Sequence, residues 1–463
     1  MNQTSQITLE DCTVPLGLNP LEGDEVSRLE ERGFHYDANG KIRFNANIFT
    51  AYFLSRVNLV RHKGAYYIFR KSGKYLDICE DDLLRITRQI IHEAKKNIYQ
   101  TNFSREYLQV LKLETPQVES LDSFKHLINL KNGMLNMLTG KLIPHSPKYY
   151  STVQLDLEYA PQEEAKRFNQ FITEIMLHDE DLISLLQEVV GYILSSETQI
   201  QKAFFFVGGG SNGKGVLTKI ITRLVGQRNV SNLTLNDFGD RFRIANLVGK
   251  AVNIASENEV GQRGLQSEKF KQLVAGDDVI VERKFEMPYS FTPTCKFLFS
   301  VNALPRTTDH SHGLYRRLQL IPFDLEIPDE EQDLRLIEKL EAELPGILNW
   351  ALDGLERLRE NNFIFTDSER SRALLRRYKQ EQNPLQVFIT EFIDSGSNKE
   401  GLFRSEIRQT LKAWCLDNGE DELLRMSAQM FWPLFKTVLA ELGLPHEEKQ
   451  FNGNYRFKGL KWK

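Results

Sequence analysis

The chain has 463 residues, 41% hydrophobic and 26% charged, with a formal net charge of −4. That length requires two to four packed units, and the composition is that of an ordinary globular protein. A net negative chain is excluded as a non-specific coat for nucleic acid, which needs broad phosphate neutralisation, although a locally basic channel is compatible with it.

No stretch approaches eighteen uninterrupted apolar residues, so no membrane contact is expected. The start, MNQTSQITLEDCTVPLG, lacks both a basic lead and an apolar segment of signal length. The expected location is the cytoplasm of a bacterial host or of a mobile element's host. Cys12, Cys79, Cys295 and Cys415 lie far apart with no C-x-x-C pair, and are expected to be reduced, buried thiols.

Residues 1 to about 45 are weakly patterned. Phe49 to Ile78 reads as a helix followed by short strands broken at Lys63-Gly64 and Ser72-Gly73. Turn dipeptides at Asn132-Gly133 and Thr139-Gly140 predict a meander. Phe168, Phe171, Ile172 and Ile175, then Leu182, Leu185, Leu186, Val189 and Val190, recur at helical spacing and predict two amphipathic helices.

The segment AFFFV-GGGSNGKG-VLTKIITRLVG has the order strand, glycine-rich loop, helix. Glycines let backbone N–H groups face phosphate oxygens, the helix N-terminus adds a positive dipole end, and Lys214 brings a charge to the outer phosphates. Gly208, Gly210, Asn212, Gly213, Lys214, Gly215 and Val216 are therefore candidate nucleotide contacts. The general motif carries Ser or Thr after the lysine to hold Mg²⁺, whereas this chain has Gly215, and Thr218 stands a helical turn away. Water and acidic side chains are the expected metal shell instead.

Further along, KAVNIASENEV ends an apolar run at Glu257 and Glu259, candidates for binding metal or polarising water. KFLFSVNALP ends in Asn302, which could orient that water. HGLYRRLQLIPF sets Arg316 and Arg317 ahead of another apolar run. A charged helical stretch is expected over Asp329 to Glu360, and a boundary near Gln382-Asn383-Pro384.

The ordered series GGGSNGKG, ASENE, KQLVAGDDVIVERKF, FTPTCKFLFSVNALP and YRRLQLIPF resembles the superfamily 3 helicases. The likeness is to the poxvirus-type primase-helicase and the phage and plasmid primase carboxyl-terminal families, over roughly residues 50 to 370. It implies an α/β fold: an AAA+-like P-loop core with an α+β and helical N-terminal region and a C-terminal winged-helix-like domain. The implied divisions are 1–160, 161–200, 201–352 and 353–463. ATP and Mg²⁺ would bind between copies of a homo-oligomer, a hexameric ring.

By the same resemblance, Lys214 would hold phosphate, Asn302 would be the sensor, and Glu257 would serve metal and water. Relatives often have two adjacent acids where this chain reads Ser256-Glu257-Asn258-Glu259, so the division of labour between Glu257 and Glu259 stays open. Lys271 and Arg317 fall where relatives place residues reaching a neighbour's site, with Arg316 the less favoured finger.

Alternation on both sides of Glu286-Met287-Pro288 predicts a β-hairpin with Arg283, Lys284 and Phe285 at its tip. Charge plus a ring suits a loop that follows single-stranded DNA in a central channel. Near the C-terminus, two amphipathic helices and the basic KQFNGNYRFKGLKWK turn resemble a winged helix, able to bind duplex origin DNA or a primase or other replication protein.

The expected function is a ring-forming, ATP-driven replicative DNA helicase of a phage, plasmid or other mobile element, without a primase catalytic domain. A protein that binds ATP to recognise an origin or load another helicase is the alternative.

Overall fold

The computed structural model describes residues 7–12, 21–257, 265–282, 287–307, 309, 311–397, 401–451 and 453–463. Its centre is a five-stranded, all-parallel sheet built from β1 (Ala203–Val207), β2 (Val230–Ser231), β3 (Val252–Glu257), β4 (Lys296–Val301) and β5 (Leu318–Pro322). The spatial order is β2-β3-β4-β1-β5.

Both faces of this sheet are covered. Phe204 and Phe206 of β1 enter one core and Ala203, Phe205 and Val207 the other, which is why the strand reads as an unbroken apolar run. The first core also takes up α1 (Lys166–Ile175), α2 (Glu180–Leu194), α3 (Lys214–Val225) and α5 (Leu344–Glu360). The second is closed by α4 (Ser267–Ala275) and by Tyr378 of α6 (Glu369–Glu381). Helices α2 and α5 approach closely because a Cβ on Gly191 would sit 2.2 Å from Ala351 O, and one on Gly354 2.5 Å from Gln187 O.

The meander over Leu127–Leu130, Gly133–Asn136 and Lys141–Ile143 shares the first core. Ahead of it, the helix Ala46–Arg56 and the three strands to Ile78 belong to a separate core running from Leu9 to Leu111. At the other end, residues 385–460 enclose a further core. There the helices Arg404–Asn418 and Ala428–Glu441 pack on a sheet in which Glu447–Phe451 pairs antiparallel with Asn454–Lys458.

The structure adds one strand on which the sequence reading was silent and corrects other local expectations. Val230–Ser231 is a strand that periodicity could not reveal, since two residues carry no period. Its exit is fixed by the fully buried Asn253, whose amide accepts from Leu233 N at 2.7 Å and donates to Leu233 O at 2.9 Å. The stretch Asp329–Glu360 is one short turn and two helices, Leu336–Glu341 and Leu344–Glu360, the second starting around Pro345, where a missing N–H costs nothing. Cys79 is exposed, as the residue ahead of the helix Glu80–Ala94, while the other three cysteines are buried and all four are unbridged. No described helix is long and apolar enough to cross a membrane.

Candidate nucleotide site

The phosphate-loop candidate leaves the carboxyl end of β1 and opens α3, with β4 on one side and β5 on the other. In open parallel sheets the crevice beyond the strands' carboxyl ends, at the point where strand order reverses, is where ligands bind. β1 meets that condition, because the chain leaves it for the far edge at β2 and crosses back over it to reach β5.

The loop is shaped by its own residues. Gly213 has φ +83°, and a Cβ there would meet Ile175 Cγ2 at 2.8 Å, so the loop lies directly on α1. Gly208 is equally constrained, since a Cβ would fall 2.2 Å from Phe323 O. Asn212 ties the loop down, its Nδ2 donating to Gly209 O at 2.9 Å and to Phe323 O at 3.1 Å. Gly209, Gly210 and Gly215 have open space where a Cβ would stand. Val216 is half-buried against the first core.

Lys214 is only 6% exposed and donates to Gly208 O at 2.5 Å, Gly209 O at 2.6 Å and Asn212 Oδ1 at 3.2 Å. Burial lowers its pKa. Among the described residues no carboxylate pairs with it, so its partners are neutral acceptors that an anionic ligand would outcompete.

Three strand ends align beside the loop. Glu257 is in register with Val301 on β4, Val301 with Val207 on β1, and Gly208 N donates to Val301 O at 3.2 Å. Asn302 comes immediately after Val301 and is exposed. Adjacent strands are about 4.8 Å apart, which sets the Glu257 backbone about 10 Å from β1. Glu259 lies outside the described residues, as do Arg283, Lys284 and Phe285. The strands expected to carry those three, Val279–Val281 and Tyr289–Phe291, do pair antiparallel.

The donor set fits a triphosphate: a helix N-terminus, an open glycine backbone and a buried ammonium. It does not fit Mg²⁺ held directly by the loop helix. Gly215 has no hydroxyl, and Thr218 Oγ1 lies 3.0 Å from Lys214 O and 3.1 Å from Gly215 O, turned into the helix.

The remaining candidates lie elsewhere. Because β1 and β5 are parallel and Leu318 is in register with Ala203, Arg316 and Arg317 stand at the amino end of the sheet, opposite the loop. Ala203 N donates to Arg317 O at 2.8 Å. A five-residue strand separates the two ends by about 15 Å. Arg316 is exposed and donates to Gln201 Oε1 at 3.1 Å, and Lys202 Nζ donates to Arg316 O at 3.2 Å.

Arg317 Nη1 donates to Gly313 O at 2.6 Å, while its Nε is buried with no acceptor. Burial first, then Arg316, lowers the Arg317 pKa. Among the described residues no carboxylate lies within 4 Å of Lys202, Arg316 or Arg317, although Asp277 is near enough to offset part of the lowering at Arg317. Lys271 differs, forming a 2.7 Å ion pair with Asp309. Burial alone would raise the Asp309 pKa, yet hydrogen bonds from Lys271 and Ser311 outweigh it and hold the carboxyl well below the usual range.

A buried lysine that sequence reasoning missed stands at the amino end of β4. Lys296 is 6% exposed, donates to Ser195 O at 2.6 Å and lies 5.3 Å from the Tyr192 ring centre. Burial, with Lys125 adding to it, brings its pKa down to about 7. The charged residue opening an apolar strand was the available signal.

Known proteins share parts of this chain. Residues 46–177 match the family described as D5 N terminal like, and residues 206–317 match a family of unknown function, DUF5906. "Putative helicase L207/L206" of Acanthamoeba polyphaga mimivirus is 20% identical over 379 residues, 73% of this chain and 38% of that protein. "Putative primase C962R" of African swine fever virus is 22% identical over 264 residues, 52% of this chain and 27% of that protein. The chain thus spans well under half the length of these relatives. The A form apo structure of the NrS-1 C terminal region aligns with TM-score 0.50 at 13% identity, over 87% of this chain and 96% of that one, a likeness of fold. These matches support a relationship between this chain and the D5-like primase-helicases of viruses.

Proposed function

We propose that the chain is one subunit of an ATP-driven, ring-forming DNA helicase acting in replication of a virus, phage or other mobile element. The observation that carries this reading is the polarity of the central sheet. Its glycine loop is at one end and three cations with no carboxylate within 4 Å among the described residues, Lys202, Arg316 and Arg317, are at the other.

No single copy brings these two ends together. A head-to-tail contact does, and repeated by rotation it closes into a ring with a composite site at every seam. Arg317 is half-buried, and with only its Nη1 engaged by Gly313 O its further guanidinium N–H groups are suitable donors for the charge that develops on a transferring phosphoryl group. The names of the viral relatives agree with a replicative role.

In this reading the loop backbone and Lys214 bind the phosphates, Arg317 acts from the neighbouring copy, and Asn302 and Glu257 face the outer phosphate from the adjoining strand ends. The antiparallel strands Val279–Val281 and Tyr289–Phe291 border single-stranded DNA in the shared channel. The residues beyond Pro384 form the winged-helix-like unit that meets duplex DNA or a replication partner.

The test is ATP hydrolysis with and without single-stranded DNA, alongside strand displacement on a forked duplex and electron microscopy of the same sample. DNA-stimulated hydrolysis by closed rings, abolished by Lys214→Ala, is the expected result. Hydrolysis at full rate by a strict monomer would refute the proposal.

A further inference from the structure

Position 215 is where the general phosphate-loop motif places a hydroxyl to hold Mg²⁺, and here it is glycine. Nothing in the fold demands that glycine. A Cβ built on it meets no atom within 4 Å, and its φ is not in the left-handed region.

The neighbouring hydroxyls do not take over the task. Thr218 is 6% exposed, with Oγ1 against the carbonyls of Lys214 and Gly215. Thr222 Oγ1 is likewise bonded to Thr218 O at 2.8 Å. Ser211 Oγ faces Gln332 Nε2 at 3.4 Å, on the side of the loop held by the Ser211 O to Ile327 N bond of 2.8 Å. Lys214, by contrast, keeps its ammonium in the loop on neutral acceptors, the carbonyls of Gly208 and Gly209.

Building on the nucleotide reading, we propose that this site grips a nucleoside triphosphate through the loop backbone, the α3 N-terminus and Lys214, with no hydroxyl bond from α3 to the metal. α3 then adds nothing to the effect of Mg²⁺ on nucleotide affinity, and Gly215 is the residue that sets this. A P-loop hydroxyl on the metal adds to the coupling between the two ligands, and without it that coupling is left to the phosphates themselves and to acidic side chains at the strand ends.

The test is calorimetric binding of a non-hydrolysable ATP analogue in Mg²⁺ and in EDTA, for the unmodified chain, Gly215→Ser and Gly215→Ala. Gly215→Ser should gain about tenfold in Mg²⁺ and nothing in EDTA, while Gly215→Ala keeps the parental response, separating the hydroxyl from the helix. Thr218→Val should leave the metal response unchanged and decides the matter if Gly215→Ser fails to fold. A Gly215→Ser chain with the parental metal response, or a metal response removed by Thr218→Val, overturns the inference while leaving the nucleotide reading intact. Absence of binding in both conditions overturns both.

Discussion

Mixing two inactive variants tests whether the two ends of the sheet cooperate between copies. Lys214→Ala removes the ammonium from the phosphate loop, and Arg317→Ala removes the guanidinium at the opposite end, one strand length or about 15 Å away. An arginine acting on the transition state of phosphoryl transfer contributes about 10³-fold or more, so Arg317→Ala alone should fall by that factor. If loop and arginine come from different copies, an equimolar mixture assembles seams at random, and about a quarter join an intact loop to an intact arginine. Steady-state ATP hydrolysis should then recover to about a quarter of the unmodified rate when seams act independently. Coupled firing lowers this value but leaves it far above either parent. A mixture no faster than the mean of its two components, or Arg317→Ala hydrolysing at the unmodified rate, refutes the reasoning.

Other outcomes depend on single residues. Gly213→Ala forces a Cβ into a left-handed backbone position and towards Ile175 Cγ2, and should cost about 1–3 kcal/mol of stability by chemical denaturation and abolish nucleotide binding. Asn212→Ala frees the loop from Phe323 O and should weaken nucleotide binding about tenfold with little change in melting temperature. Lys296 has a folded pKa of about 7, below its unfolded value, so between pH 7 and about 10 its site binds more protons in the unfolded chain and its contribution to stability rises with pH. From pH 7 to 9 the gain should be of order 1–3 kcal/mol, with Lys125, Cys295, Glu197 and Asp122 the groups facing it, and Lys296→Met should flatten the profile. A parental profile that falls over that window contradicts the assignment.

The strand, loop and helix of the candidate nucleotide site were legible because their signals are local. An apolar run, three glycines and a helical apolar face fall within 23 residues, Phe204 to Gly226. Strand order was not legible, since pairing β1 between β4 and β5 depends on contacts separated by about a hundred residues, which no window registers. The opposed placement of Arg317 and the loop is a consequence of parallelism alone: Arg317 enters β5 at its amino end, whereas the loop leaves the neighbouring β1 at its carboxyl end. The Thr218 hydroxyl could not be judged from spacing, because its direction depends on which helix carbonyl it bonds. Lys296 was hidden by the apolar residues after it, and its burial depends on Ser195 and Tyr192, both distant in sequence.

The bond from Asn212 to the carbonyl of Phe323 joins the loop to a residue 111 positions later. During synthesis the glycine-rich turn therefore waits for the fifth strand to leave the ribosome before it can take its final shape. A nascent chain stalled between the two carries the motif intact yet should not retain nucleotide, so ligand capture would report that the sheet has closed.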